Sequence, residues 1–331
     1  MRRLLLPLAA LLALGLSACG VESGTATDRA LPPLTKPATT TTSTPPTSTT
    51  VGCSNPSASY APLAPLPAPE VAVAADPFVR NIVARGHLIV AVDENTKYLA
   101  QRDTTTGHLQ GAEIEIAKTI ARHLFGVADG NTVQFKTVTT KEKIDFPALD
   151  EVDMSISAIS MTCERWEKVA FSSVYLTAVP TFLVRHQSKI TTRDQLAGKR
   201  VCVTLGSTSV ALMTSINQEF DRQGAKPAVV VPVDVRTDCL LELQEGMVDA
   251  YLGHDTFLIG MKEQNPELES FPAGGPEQQQ YGIAINQDHT YFVQYVNGVL
   301  QEMRDDGSLE ALVQDYVKTS IPPVPTTRAL P

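Results

Sequence analysis

Glu151-Val152-Asp153-Met154 and Met247-Val248-Asp249-Ala250 are two versions of one short run, each opening a late strand after a helix. The chain repeats the same order of elements around each. In the first round, Leu88-Ile89-Val90-Ala91-Val92 is an apolar run ending at Asp93, as a buried strand would. Ile116, Ile120 and Leu124, with Ala117 and Ala121, recur at helical spacing, which predicts an amphipathic helix over 111–125. Residues 132–138 and 152–159 read as strands. In the second round, 200–204 reads as a strand, 207–220 as a helix and 228–233 as a continuous apolar strand. Residues 237–244 then read as a helix and 248–252 as a strand. Strands alternating with helices argue for an α/β fold with parallel sheets. Two lobes of about 100 residues fit the usual domain size. The segment 281–317 adds a strand and amphipathic helices over 297–303 and 309–317. If it returns to the first lobe, the chain crosses twice and leaves a hinged cleft.

Outside these rounds the chain is of a different kind. Arg2 and Arg3 precede an apolar stretch over 4–16, about 13 residues against the roughly 20 of a spanning helix. Leu16-Ser17-Ala18-Cys19 follows, so 1–18 has the layout of an exported signal peptide. Its ending resembles the bacterial lipobox, in which the cysteine is lipidated. That resemblance implies a cell-membrane location on the extracytoplasmic face, with Cys19 as the lipid anchor. Threonine, serine and proline dominate from Thr39 to Pro69, a composition that does not offset its own ordering entropy. Residues 19–75 are expected to form a tether. The first lobe is placed at 76–181 and 280–320, the second at 182–279, and a flexible tail at 321–331. The net charge of −9 becomes about −11 without Arg2 and Arg3, which argues against nucleic acid as a partner. Beyond Cys19, the cysteines are Cys53, Cys163, Cys202 and Cys239. An exported protein can pair them, and four cysteines allow three connectivities. No CxxC pair is present and the histidines are scattered, so neither a metal nor a cofactor is expected.

The chemistry is expected at strand ends, because the carboxyl ends of parallel strands open into the ligand crevice. Ser160-Met161-Thr162-Cys163-Glu164-Arg165 follows a buried strand, and Arg165 offers a planar fork for a carboxylate. Gly206-Ser207-Thr208-Ser209 holds the matching place in the second round and opens a helix whose free N–H groups favour an anion. Standing alone, the first is commonly a surface arginine and the second a plain helix cap. Asp93 and Asp255 follow strands of the two lobes and suit an ammonium group, although each also suits a turn or cap. Together these groups match the two ends of a free α-amino acid.

At this point the chain resembles bacterial extracellular solute-binding proteins of family 3, the polar amino-acid-binding lipoproteins of ABC transporters, from about Arg85 to Val317. The resemblance rests on Ala158-Ile159-Ser160-Met161-Thr162-Cys163-Glu164-Arg165, followed by Val169-Ala170-Phe171-Ser172-Ser173 and Tyr175. It also rests on Asp194, Leu196, Gly198 and Lys199 leading to Gly206-Ser207-Thr208, on Asp249-Ala250 leading to Asp255, and on Gln280-Tyr281-Gly282-Ile283-Ala284. It implies a two-lobed periplasmic-binding-protein-like (type II) fold, each lobe a sheet flanked by helices. The lobes would be joined by a two-strand hinge near 181–183 and 279–282. The ligand implied is a free polar amino acid, glutamate first and then glutamine, aspartate or asparagine, delivered by a monomer to an ABC permease. In this scheme Arg165 clamps the α-carboxylate, and Ala158 and Ser160 add backbone or hydroxyl contacts. Ser207 and Thr208 bind from the other lobe, Asp255 takes the α-ammonium, and Asp93 contacts the ligand or selects its side chain.

One residue is inserted before His254-Asp255 relative to glutamine binders, and Lys97, Tyr98 and Leu99 occupy the loop where a covering aromatic is usual. Lys97 there would pair with a second carboxylate. The resemblance further implies a Cys202–Cys239 bond, leaving Cys53 for Cys163. A sensor lipoprotein signalling to a membrane protein would carry the same site. A cyclohexadienyl-dehydratase-like enzyme of this fold would need an acid or base such as Glu164 or His254; no enzymatic activity is expected.

Overall fold

In the computed structural model the described residues are 53–127, 132–274, 278–318, 323 and 325–330. They belong to one compact unit, 49–331. The signal peptide, Cys19 and the tether as far as residue 52 lie outside them.

Each round of the sequence builds one five-stranded sheet. The first contains β2 (Leu88–Val92), β3 (Val133–Thr137), β4 (Met154–Ser155), β5 (Val169–Phe171) and β13 (Ala284–Asn286), in the order β3-β2-β4-β13-β5. The second contains β7 (Pro180–Arg185), β8 (Arg200–Thr204), β9 (Val229–Val233), β10 (Ala250–His254) and β11 (Leu268–Pro272), in the order β9-β8-β10-β7-β11. In each sheet three strands run parallel, and the two beyond them pair antiparallel. The sheets are therefore mixed, where sequence alternation predicted parallel ones. The chain changes lobe next to these strands and enters them in the opposite direction.

Helix α3 (Ala112–Phe125) buries Ile116, Ala117, Ile120, Ala121 and Leu124 against the first sheet, as its spacing predicts. Helix α6 (Thr208–Arg222) buries Met213, Ile216 and Phe220 beside Phe182 and Val201 of the second. Helix α9 (Thr290–Asp305) and helix α10 (Ser308–Tyr316) return to the first lobe and complete its core with Val293, Val296, Leu300, Leu309 and Val313.

The crossings form their own two-stranded antiparallel sheet, β6 (Leu176–Ala178) with β12 (Gln279–Tyr281). Residues 279–282 are thus part of the hinge, but 181–183 are not. Thr181 to Leu183 pair on both sides within the second sheet, with β10 and with β11. The first crossing lies a few residues earlier, at Val179.

The tether expectation also needs correction over 53–75. Cys53 is bonded to Cys163. Pro56 O accepts from Trp166 Nε1 at 2.7 Å. Ser59 Oγ donates to Phe171 O at 2.6 Å, and Asn297 Nδ2 donates to Tyr60 O at 2.7 Å. Helix α1 (Pro69–Ala75) and helix α2 (Pro77–Arg85) both begin on a proline, where a missing N–H costs nothing. At the other end, Thr327–Arg328 of the expected flexible tail pairs in parallel with β1 (Ser59–Tyr60). The Arg328 guanidinium lies 3.8 Å from the Trp166 ring centre. Covalent closure and buried hydrogen bonds here outweigh a composition that reads as unstructured.

Candidate functional site

The carboxyl ends of six parallel strands, three from each lobe, face one another, and almost every basic or hydroxyl group of the cleft stands on the turn after one of them. Thr140 and Lys143 follow β3; Ala158, Ser160 and Arg165 follow β4. Thr204 and Ser207 end β8 and open α6, Arg236 opens α7 (Arg236–Gln244) after β9, and His254 ends β10. They line a cavity of about 20 Å³, room for about one water and not for an amino acid. A ligand therefore enters only with the lobes apart.

Arg165 sits in the four-residue helix α5 (Cys163–Trp166), whose N-cap is Thr162; the Thr162 hydroxyl accepts the Arg165 N–H at 3.3 Å. Arg165 is 8% exposed. Its Nη1 donates to Ser160 O at 2.6 Å, and its Nη2 donates across the cleft to Gly206 O at 2.9 Å. Burial lowers its pKa to about 10, so it remains charged at neutral pH. Gly206 has φ +75°, and a Cβ there would lie 3.2 Å from Lys141 Cα of the opposite lobe. Glycine lets the two backbones meet.

Behind Arg165 lies a buried polar network. Ala158 takes a left-handed conformation at φ +48°, and its N–H donates to Glu113 Oε1 at 2.6 Å. The Tyr175 hydroxyl donates to the same oxygen at 2.5 Å. Lys143 Nζ donates to Ser157 O at 3.2 Å and to Ala158 O at 3.3 Å. Burial raises the Glu113 pKa, whereas burial and the Arg236 and Arg165 charges pull Lys143 well below the lysine range.

The second lobe contributes the N-terminus of α6 and Arg236. Ser207 is the N-cap, with its hydroxyl donating to Thr204 O at 2.6 Å. Thr208 Oγ1 lies 3.4 Å from His254 Nε2. Arg236 Nε is 2.7 Å from Asp93 Oδ2 of the first lobe, and both residues are buried. Asp93 Oδ1 accepts the Asn95 N–H at 3.1 Å. The Arg236 guanidinium also lies 4.5 Å from the Phe257 ring centre. Cys239, on the same helical face one turn later, is bonded to Cys202 of β8. Both expected disulfides are thus formed, and this one fixes the helix that carries Arg236.

The structure brings Ala158, Ser160, Arg165, Ser207 and Thr208 to the cavity, and sets Asp93 immediately behind it. It does not bring Asp255 there. Strand β10 runs through His254, which pairs with Pro180, so His254 faces the cleft and Asp255 begins α8 (Asp255–Gln264). Asp255 Oδ1 accepts from Val179 N at 2.8 Å and from Thr256 N at 2.7 Å, while Asp255 N donates to Val179 O at 3.0 Å. It holds the crossing point; it does not point at the ligand space. His254 Nδ1 is 2.6 Å from the Tyr281 hydroxyl. Burial, then the charges of Lys143, Arg236 and Arg165, lower the His254 pKa to about 3. It is a neutral ring.

Lys97 is misplaced as well. Its Nζ pairs with Glu263 at 3.1 Å on the outside of the cleft and does not line the cavity. Sequence reasoning missed Lys143 and Arg236 as cleft residues and named His254 only as an acid or base that an enzyme would need. Arg236 follows the carboxyl end of β9 as Arg165 follows that of β4, so the strand-end rule applied to every strand would have found it.

Among the described residues, no group of three His, Cys, Asp or Glu is placed to hold a metal ion, and no helix is long and apolar enough to cross a membrane. The family model for bacterial extracellular solute-binding proteins, family 3, matches residues 88–319. The chain is 28% identical over 233 residues to the ABC transporter glutamine-binding protein GlnH of Bacillus subtilis (strain 168), covering 70% of this chain and 81% of that one. It is 26% identical over 219 residues to the glutamate-binding protein GluB of Corynebacterium efficiens, covering 62% and 71%. Among solved structures, the arginine-bound form of truncated ArgBP from T. maritima superposes with a TM-score of 0.58 at 29% identity, covering 68% of this chain and 99% of that one.

Proposed function

Because the chain belongs to the bacterial extracellular solute-binding proteins of family 3, we propose that it is a receptor that closes two lobes on a free polar amino acid. Glutamate is the first candidate, followed by glutamine, aspartate and asparagine. The receptor releases its ligand unchanged to an ABC importer, and a lipid on Cys19 keeps it at the outer face of the cell membrane. One observation carries the reading. Buried Arg165 of the first lobe and the open N-terminus of α6 in the second line the same cavity. A carboxylate held by both gains contacts that exist only in the closed form, so its binding energy favours closure. Relatives named for glutamine and glutamate binding support the ligand class.

Calorimetric titration of the mature protein with L-glutamate, L-glutamine, L-aspartate and L-asparagine tests this. The expected result is a dissociation constant of about micromolar or tighter for at least L-glutamate. Absence of binding by all four contradicts the proposal.

A further inference from the structure

The cavity presents the basic side chains Lys143, Arg165 and Arg236, and among the described residues lining it there is no carboxylate. The nearest acids are turned away from it. Asp93 spends its oxygens on Arg236 and the Asn95 N–H. Glu113 Oε1 accepts from the Ala158 N–H and the Tyr175 hydroxyl, and its Oε2 is buried without a partner but outside the cavity lining. Asp255 is turned to the crossing point. At the end of β10, the cavity is faced by the ring of His254.

Arg236 is 3% exposed, and its Nη1 has no hydrogen-bond partner. A buried guanidinium donor without an acceptor is costly, and a second anionic group would satisfy it. The α6 N-terminus beside it adds further positive potential. A ligand ammonium meets the opposite situation, with basic groups on several sides and no carboxylate among the described residues that line the cavity.

We propose that the cleft selects a small dicarboxylate, with one carboxylate on Arg165 and the other on Arg236 Nη1, and that the ligand's amino group is dispensable. The inference rests on the receptor reading above, with Arg165 as the first clamp. Arg236 is the specificity-determining residue, and His254 is the reason the amino group is not selected.

Calorimetry of the mature protein with glutarate, L-glutamate and L-glutamine tests the proposal. Glutarate is expected to bind within about tenfold of L-glutamate, and L-glutamine about a hundredfold more weakly, because it leaves Arg236 without its anion. Arg236→Gln is expected to weaken glutarate and L-glutamate by about a hundredfold while leaving L-glutamine within about threefold. Arg236→Lys, which keeps the charge without the fork, falls between. His254→Asp places a carboxylate in the cleft and is expected to raise the preference for L-glutamate over glutarate by about tenfold or more. Thermal unfolding of each variant shows that it is folded. Tight L-glutamate binding with no glutarate binding overturns the dicarboxylate inference and leaves the receptor reading standing. Equal affinity for L-glutamine and L-glutamate in both wild type and Arg236→Gln does the same. Failure of all three ligands contradicts both.

Discussion

Arg165 and Arg236 reach the cleft from opposite lobes, Arg165 from within α5 after β4 and Arg236 at the start of α7 after β9, yet they are held in opposite ways. Arg165 donates to two backbone carbonyls, Ser160 O and Gly206 O, and both bonds fix its fork. Arg236 leans on one carboxylate, Asp93, and keeps an unpaired nitrogen. Their supports differ too. The disulfide beside Arg165 ties a peripheral segment to the lobe, whereas the one beside Arg236 lies in the core, where Cys202 and Cys239 are fully buried. A fork already held by the backbone positions whatever its remaining donors bind; a buried nitrogen with no partner distinguishes among ligands. The first clamp therefore sets that a carboxylate is held, and the second sets which molecule carries it.

The contrast can be broken from the Arg236 side. Asp93→Asn removes the acid paired with a buried guanidinium and is expected to cost about 3 kcal/mol of unfolding free energy, since the charge remains without its partner. Denaturant unfolding measures this; a loss below about 1 kcal/mol would show that Arg236 does not depend on Asp93. The double variant Cys202→Ser, Cys239→Ser is expected to lose about 2–4 kcal/mol and to weaken L-glutamate binding through displaced Arg236. By contrast, Cys53→Ser with Cys163→Ser should release the 53–75 segment to proteolysis while L-glutamate affinity stays within about threefold. Equal effects of the two pairs on binding would erase the distinction between them.

His254 sharpens the comparison through pH. Its folded pKa of about 3 lies below the ordinary 6.5. Its contribution is therefore complete above about pH 6.5 and is lost as pH falls from there toward 3. Raised carboxyl pKa values at Glu113, Asp153 and Asp255 act with the opposite sign. The useful quantity is thus the difference between wild type and His254→Gln. The melting temperature of the variant should fall less between pH 6.5 and pH 4; parallel curves would mean that His254 is not buried neutral. The smallest effect is expected at Lys97→Ala, because its partnership with Glu263 is a surface pair. Neither stability nor the glutamate-to-glutamine ratio should change measurably, and a lost ratio would return Lys97 to the site.

Much of this was legible because strands buried on both faces are apolar runs, and their ends are marked by polar residues. Asp93, Ser160, Arg165 and Ser207 were found in that way. Register was harder. Whether β10 stops at Gly253 or His254 is a one-residue choice, and one residue turns a side chain to the opposite face. The pairing of His254 with Pro180 decides it, and nothing near His254 in sequence encodes that pairing. Arg236 was hidden by its neighbours, since Arg236-Thr237-Asp238 reads as an ordinary polar helix start. Residues 53–75 were misread because their order comes from partners far along the chain, Cys163, Phe171 and Asn297. Local composition carries no record of such partners.

The most direct test of the receptor account is the affinity of Arg165→Ala for L-glutamate, measured by calorimetry on protein shown to be folded. The account predicts a loss of about a hundredfold or more, because the clamp common to every carboxylate ligand is gone. Affinity retained within about threefold of wild type would place the carboxylate elsewhere and contradict it.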